Sequence, residues 1–292
     1  MQTTVVVGYD QTPSSERALA AAADHASRRG SVLTIVHAYQ GPDGAAGTGN
    51  EPGDAAAELR RKAATELVDQ AVDGVRTRHP GLTVHGTAVP GNPAKTLAAA
   101  AHGTELLAVG DRGRGGFQGM LLGSTSMRVL AEACCPVLVV RGAATTPHDR
   151  VVVAVDIDAP CDDVLRFAFQ EASQRGAHLT VLHVWDEPWI LEYDEEQGRD
   201  VADDVSAIMA NRDERLEAHL LPWQKRFPEV EVFRQVATGS AATVLVEAAH
   251  RADLLVTGAR RHGDGQHGMQ IGPVTHTLLR HADCPVAVVP IA

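Results

Sequence analysis

The 17-residue stretch from Gly110 to Ser126 combines the residue types that bind phosphate groups. It contains six glycines and ends in the hydroxyl side chains of Ser124, Thr125 and Ser126. Glycines let backbone N–H groups approach an anion closely, and a helix beginning near Gly123 and Ser124 would add N–H donors and a partial positive charge. The sequence therefore predicts an oligophosphate site in this stretch, to which Arg112 and Arg114 could add cationic donors.

The alternative is a long flexible turn whose glycines only reverse the chain and whose Ser124 only caps a helix. Position favours the phosphate site, because the stretch follows the fourth predicted strand, where an open parallel sheet places its ligand crevice. Asp10 follows the first predicted strand and belongs to the same crevice. Its carboxylate could accept hydrogen bonds from ribose hydroxyls or a magnesium-bound water, or serve as an Asx cap of a turn.

The sequence segments that surround these residues occur twice in the chain. VVVGYD from Val5 to Asp10 recurs as VVVAVD from Val151 to Asp156, and the segment from Ala26 to Tyr39 recurs from Ala172 to Trp185. Such internal repetition indicates two homologous halves. We predict domains at residues 1–142 and 149–292, joined by a small polar linker.

Within each half, β-branched runs alternate with longer Ala/Leu-rich helical segments. The strand runs carry little polar alternation, which is typical of a parallel sheet covered by helices on both faces. In the first half the predicted strands are Thr3–Gly8, Val32–Ala38, Thr83–Val89, Leu106–Val109 and Val137–Val140. The glycine- and proline-rich segment from Gly41 to Asp54 predicts a surface loop or flap.

Composition and motifs exclude several classes of function. The net charge of −11 and the lack of a Lys/Arg cluster disfavour binding to nucleic acid or an anionic membrane. No signal peptide or membrane segment is recognisable, so we expect a cytoplasmic protein. The chain has no Walker A sequence, and the GxGxxG from Gly263 to Gly268 does not open a helix directly after a strand. We expect the cysteines to be small buried thiols. We expect His262, His267, His276 and His281 to be solvated surface residues.

Taken together, these residues resemble the universal stress proteins, specifically the ATP-binding type in the tandem form found in actinobacteria. The family signature is Gly, two residues, Gly, nine residues, Gly-Ser, and Gly110, Gly113, Gly123 and Ser124 match it. The resemblance covers nearly the entire chain, twice. It implies an α/β fold with two doubly wound, five-stranded parallel sheets of strand order 3-2-1-4-5, flavodoxin-like or adenine-nucleotide α-hydrolase-like.

The resemblance also assigns roles within the first half. It implies that Gly8 and Asp10 meet adenosine, that the backbone at Ala38 binds the adenine edge, and that the cofactor is ATP with magnesium. The residues implied in phosphate binding are Gly110, Arg112, Gly113, Arg114, Gly115, Gly116, Gly123, Ser124, Thr125 and Ser126. The family has a glycine directly after the aspartate, where Gln11 stands in this chain.

The second half departs from the signature. Arg261 replaces the second glycine, one residue is inserted, and Pro273 stands where Ser124 stands in the first half. Proline removes a hydroxyl and an N–H donor at a helix start, both of which a phosphate would use. We therefore predict that the second half binds ATP weakly or not at all.

The leading hypothesis is an ATP-binding stress protein in which nucleotide occupancy regulates conformation or partner binding during stress or growth arrest. No residue pair in the sequence suggests a general base with a nucleophile, so we expect no enzyme activity beyond slow ATP hydrolysis. The rival hypothesis is a nucleotide-independent scaffold for protein interactions, and a small-molecule hydrolase is a third. The resemblance implies that the Cys-Pro-Val edge strands Val137–Arg141 and Val286–Pro290 pair between domains. Exposed apolar edge strands favour such pairing, so we expect it together with homodimerisation.

Overall fold

The computed structural model describes residues 3–41, 53–113, 122–142, 147–185, 201–262 and 268–291, without the side chains of 53, 54 and 201–205. The predicted loop between Gly41 and Asp54 falls almost entirely outside these ranges. The chain forms two compact units. Unit one comprises Met1–Arg141 with Arg261–Ile271, and unit two comprises Gly142–Arg260 with Gly272–Ala292. The domain limits 1–142 and 149–292 remain a prediction.

Unit one alternates strands and helices along the chain. Its elements are β1 (Thr4–Gly8), α1 (Pro13–Arg29), β2 (Val32–Tyr39), α2 (Gly53–Arg78), β3 (Val84–Pro90), α3 (Pro93–Ala100), β4 (Leu106–Gly110), α4 (Ser124–Glu132) and β5 (Val137–Val140). Each predicted strand end of this half is confirmed to within one residue. The pairs β1–β2, β1–β4, β2–β3 and β4–β5 are parallel, which gives the predicted order 3-2-1-4-5.

The second half repeats this arrangement. Its elements are β6 (Arg150–Ala154), α5 (Asp162–Arg175), β7 (His178–Trp185), α6 (Val201–Arg226), β8 (Val232–Thr238), α7 (Ala241–Ala249), β9 (Leu254–Arg261), β10 (Met269–Gln270), α8 (Pro273–His281) and β11 (Val286–Ile291). The parallel pairs β8–β7, β7–β6, β6–β9 and β9–β11 have the same order as in unit one. The α/β fold class with two tandem parallel sheets is therefore confirmed.

The middle residues of the central strand of each unit are buried because helices cover both faces of the sheet. Val5, Val6 and Val7 of β1 are buried, as are the valines at the start of β6. Helix α1 packs small residues such as Ala18 and Ala22 against the sheet, which keeps it close to the strands. This helix begins at Pro13 after the N-cap Thr12, whose side chain accepts a hydrogen bond from the Ser15 N–H at 3.2 Å.

The strand order determines where a ligand could enter. In unit one β2 lies on one side of β1 and β4 on the other, so the connections that leave the carboxyl ends of β1 and β4 run in opposite directions. A crevice opens at such a switch point, and in this fold class ligands bind there.

The cysteines are small core residues, as expected. Cys135, Cys161 and Cys284 are buried and Cys134 is half-buried. Burial raises the pKa of the Cys161 thiol to about 11, and the nearby carboxylates of Asp162 and Asp156 add to the shift. The Cys161 thiol is therefore protonated at neutral pH, which disfavours a nucleophilic role.

Candidate functional site

A cavity of about 920 Å³ opens in unit one at the carboxyl ends of β1, β2 and β4. Its volume lies within the range of small-molecule and cofactor sites. Gly8 lines it from the end of β1, Ala38 from β2 and Gly110 from β4. Asp10 lines it from the turn after β1, while the start of α4 and one face of α2 supply further walls. The cavity therefore occupies the crevice that the strand order creates.

Most of the predicted site residues meet in this cavity. The residues that line it are Gly8, Asp10, Ala38, Gly110, Gly113, Gly123, Ser124, Thr125 and Ser126. Arg112 does not line it: its side chain is exposed, and its Nε lies 3.4 Å from Asp111 Oδ2. Arg114, Gly115 and Gly116 lie outside the described residues.

The start of helix α4 can bind an anion. Its N-cap is Gly123, and the described residues provide no side-chain hydrogen bond to the first turn. The first intrahelical bond runs from the Met127 N–H to the Gly123 carbonyl at 3.1 Å. The N–H groups of residues 124–126 thus belong to the set that a helix cannot satisfy internally, and they carry its partial positive charge.

The three hydroxyl side chains at this helix start differ in their surroundings. The Ser126 hydroxyl is buried and donates to the Gly110 carbonyl at 2.7 Å, so its proton is already used in joining α4 to the end of β4. Ser124 is exposed and Thr125 is half-buried. Ser126 can therefore serve an anion mainly through its backbone N–H, while Ser124 and Thr125 can also offer hydroxyls.

Of the two roles that the sequence leaves open for Asp10, the structure shows the capping role. Its Oδ1 accepts hydrogen bonds from the Thr12 N–H at 3.1 Å and the Thr12 hydroxyl at 2.6 Å, which makes it an Asx cap of the turn before α1. A Cβ added to Gly113 would lie 3.1 Å from Asp10 Oδ2, so the second carboxylate oxygen faces the glycine-rich segment. Glycine at 113 leaves room beside this carboxylate.

A part of the cavity wall that the sequence analysis missed comes from α2. Arg60, Ala63, Ala64, Leu67 and Gln70 line the cavity at helical spacings of three and four, so they occupy one face of the helix. With Ala38 of β2, the alanines and Leu67 form an apolar surface. The spacing is visible in the sequence, but it does not show which face of the helix meets a ligand.

His37 of β2 also lines the cavity, and its orientation is fixed. Its Nδ1 lies 2.7 Å from the carbonyl oxygen of Tyr9. Because a carbonyl only accepts, Nδ1 carries the proton and donates it. The Tyr9 hydroxyl in turn donates to Glu16 Oε1, and burial together with this carboxylate raises the pKa of Tyr9 above its usual range. Hydrogen bonds thus fix the orientations of His37 and Tyr9 on the β1–β2 side of the cavity.

Both halves of the chain match a known protein family. The sequence profile of the universal stress protein family matches residues 1–141 and again residues 147–290. The chain belongs to the universal stress protein family. A universal stress protein of Mycolicibacterium smegmatis is 34% identical over 98% of this chain and 96% of its own length. One from Mycobacterium tuberculosis is 31% identical over 97% of this chain and 95% of its own length.

A solved structure extends the comparison to the fold. The crystal structure of a universal stress protein from Archaeoglobus fulgidus matches with a TM-score of 0.69 at 20% sequence identity. The match covers 98% of both chains. The tandem universal stress protein architecture is therefore confirmed over essentially the full chain.

The departure of this universal stress protein from its family at Gln11 has a conformational cost. The backbone of Gln11 has φ of 62°, in the left-handed region that glycine adopts readily and other residues rarely do. The family's glycine after the aspartate fits this conformation. Gln11 therefore carries strain of about 1 kcal/mol that glycine would avoid.

We expect Gln11→Gly to stabilise unit one by about 0.5 kcal/mol, since the relief of strain exceeds the entropy that glycine gains in the unfolded chain. Gln11→Val is the matched control, because a β-branched side chain tolerates positive φ less well and should lose about 1 kcal/mol. Urea denaturation followed by circular dichroism measures both. Equal midpoints for the two variants would contradict the strain argument.

In the second half, helix α8 begins at Pro273 after the N-cap Gly272, as the sequence predicted for the position equivalent to Ser124. His276 and His281 lie on this helix, whereas His267 lies outside the described residues. In the part of the chain that the structure describes, no cluster of His, Cys, Asp or Glu side chains could hold a metal ion. None of the described helices is long and apolar enough to cross a bilayer.

Proposed function

We propose that this universal stress protein binds ATP with magnesium in the cavity of unit one, and that occupancy regulates its conformation or its binding to a protein partner. The observation that carries the proposal is one cavity with two chemically different walls. On the β4 side of β1, the start of α4 offers N–H donors and a partial positive charge. On the β2 side, Ala38, Ala64 and Leu67 offer an apolar surface.

These two walls suit the two ends of an adenine nucleotide. The phosphates would lie against the glycines and the N–H groups at residues 123–126, and the base against the apolar surface beside β2. Asp10 lines the cavity just after the central strand that lies between the two walls, and its carboxylate would accept hydrogen bonds from ribose hydroxyls. Magnesium bound with the phosphates would offset part of their charge near this carboxylate.

We propose that the protein acts by binding ATP and not by hydrolysing it. His37 Nδ1 is engaged by the Tyr9 carbonyl, and the hydroxyl proton of Ser126 is engaged by Gly110. The Thr12 hydroxyl is likewise engaged in the turn that Asp10 caps. We therefore propose a cytoplasmic, homodimeric regulator whose ATP hydrolysis is slower than about one turnover per second.

Isothermal titration of the full chain with Mg·ATP tests the proposal, and one site per chain is expected. Asp10→Asn should weaken binding by about tenfold, because it removes the charge and an acceptor that ribose would use. The asparagine carbonyl can still accept from Thr12, so the turn is preserved. Asp73→Asn changes an exposed aspartate on α2 that does not line the cavity, and it should leave the affinity unchanged.

Two results would contradict the proposal. Absence of Mg·ATP binding by the folded chain would favour the nucleotide-independent scaffold. Equal affinities for the wild type and Asp10→Asn would place the nucleotide elsewhere.

A further inference from the structure

In unit two, strand β7 and helix α6 correspond to strand β2 and helix α2, which line the cavity of unit one. Strands β2 and β7 have 8 residues each, and helices α2 and α6 have 26 each. His37 and His183 stand at the same position in their strands and have the same bond: His183 Nδ1 lies 2.9 Å from the Val155 carbonyl oxygen. Counted from the start of each helix, Ala64 of α2 corresponds to Arg212 of α6.

Arg212 fills the space above β7. Its guanidinium carbon lies 4.7 Å from the centre of the Trp185 ring, an arrangement that gives a cation–π attraction. Its Nη1 lies 3.1 Å from His183 Nε2. Because His183 Nδ1 donates to Val155, Nε2 is the accepting nitrogen, and Arg212 donates to it. The guanidinium therefore has both a stacking surface and a hydrogen-bond acceptor.

Neighbouring groups hold Arg212 in this position. Its Nη1 also lies 3.3 Å from Asp158 Oδ2, and Arg215 Nη2 lies 2.6 Å from Asp158 Oδ1. The hydrogen bond from Arg215, followed by that from Arg212, holds the pKa of Asp158 below its usual range, so this carboxylate stays charged. The indole N–H of Trp185 lies 3.2 Å from Met209 Sδ, which fixes the ring under the guanidinium.

A small cavity lies on helix α6, among the residues of unit two that the structure describes. A cavity of about 280 Å³ is lined by Ala207, Ile208, Asn211, Arg212 and Arg215, against about 920 Å³ in unit one. Four of these positions on α6 correspond to lining positions of α2: residues 208, 211, 212 and 215 match 60, 63, 64 and 67. This cavity therefore lies on the face of α6 that corresponds to the lining face of α2, and Arg212 stands there at the position of Ala64.

We propose that Arg212 is a built-in plug that stands where a purine base would lie in unit two, so that the chain carries one open nucleotide site and one closed copy. This inference rests on the proposed function, because it takes the cavity of unit one as the adenine site. Removal of Arg212 would expose the Trp185 ring and His183 Nε2, which are a stacking surface and a hydrogen-bond acceptor for adenine.

The opened site would favour a nucleoside over a nucleotide. Helix α8 begins at Pro273, which lacks the N–H that Ser124 offers in unit one. Asp158 would keep Arg215 as its partner, so the loss of Arg212 leaves no unpaired carboxylate. The ligand class is therefore a purine nucleoside such as adenosine.

The test is equilibrium dialysis of the full chain with labelled adenosine, which counts binding sites. We expect one site in the wild type, two in Arg212→Ala and none in Ala64→Arg, which installs the same side chain in unit one. The double variant should bind one adenosine, and that binding should change the fluorescence of Trp185. Arg166→Ala is the control, because Arg166 is an exposed arginine of unit two paired with Asp163 on α5.

The outcomes separate the two proposals. If the wild type binds neither adenosine nor Mg·ATP, the proposed function fails, while an adenosine site gained in Arg212→Ala still supports the plug. If Arg212→Ala is folded by circular dichroism and gains no site, the plug is wrong. Arg212→Gln keeps a donor for His183 but removes the cation and shortens the side chain. Arg212→Gln is the second variant if Arg212→Ala does not fold. If Arg212→Gln binds the same number of adenosine molecules as the wild type, the inference is overturned.

Discussion

Ser124→Pro is expected to weaken the binding of Mg·ATP to unit one by about 10- to 100-fold and to leave adenosine binding unchanged. The substitution gives α4 the same first residue as α8 and removes one N–H donor and one hydroxyl. Hydrogen bonds to charged groups contribute about 1.5 to 3 kcal/mol each, which corresponds to this range of affinity. Isothermal titration with Mg·ATP and with adenosine measures the two effects separately.

The backbone of unit one accepts proline at this position. Gly123 has φ of −73° and ψ of 150°, an extended conformation that suits the residue before a proline, and Gly272 before Pro273 has nearly the same values. Proline is also favoured at the first position of a helix. Ser124→Ala is the matched control, because it removes the hydroxyl and retains the N–H. If both variants lose the same affinity, the hydroxyl and not the helix start is responsible.

Gly110→Ala is expected to destabilise unit one by about 2 kcal/mol or more and to abolish nucleotide binding. A Cβ at this position would lie 2.8 Å from the backbone carbon and oxygen of Ser14 at the start of α1. Neither the last residue of β4 nor the first turn of α1 can move without disturbing the core, so the clash costs as much as strong overpacking. The Gly110 carbonyl also accepts from Ser126, so its displacement disturbs the start of α4.

Thermal unfolding of the full chain, followed by circular dichroism, measures this loss. The matched control is Gly81→Ala, since a Cβ there would meet nothing within 4 Å and the backbone has no positive φ. We expect the control to unfold close to the wild type. Equal unfolding midpoints for the two alanine variants would show that the structure absorbs a Cβ at 110, and the close packing of β4 against α1 would then be wrong.

The strands and the topology could be predicted from the sequence because they depend on local patterns that occur twice. Continuous runs such as Val5–Val7 and Leu106–Val109 indicate strands buried on both faces, and the repeat shows that both halves share one arrangement. The position of the predicted phosphate-binding segment beside the cavity followed from the same topology, because Gly110 ends the strand next to β1. These inferences need only chain order and hydrophobicity.

The parts of the site that were missed depend on side-chain direction and on neighbours distant in sequence. Arg112 follows a glycine of the motif, yet its side chain lies outside the cavity, beside Asp111. The hydroxyl of Ser126 is held by Gly110 instead of facing solvent. Arg212 belongs to no motif, and only the packing of α6 over β7 brings it to Trp185 and His183.

The missing side-chain cap of α4 has a consequence for how the protein responds to its surroundings. A cap typically contributes about 1 kcal/mol to a helix end, and Gly123 leaves that contribution to whatever occupies the cavity. An anion bound there would act as the cap, so fraying of this helix end would decrease as the nucleotide pool fills. The local order of this helical turn would then depend on whether an anion occupies the cavity.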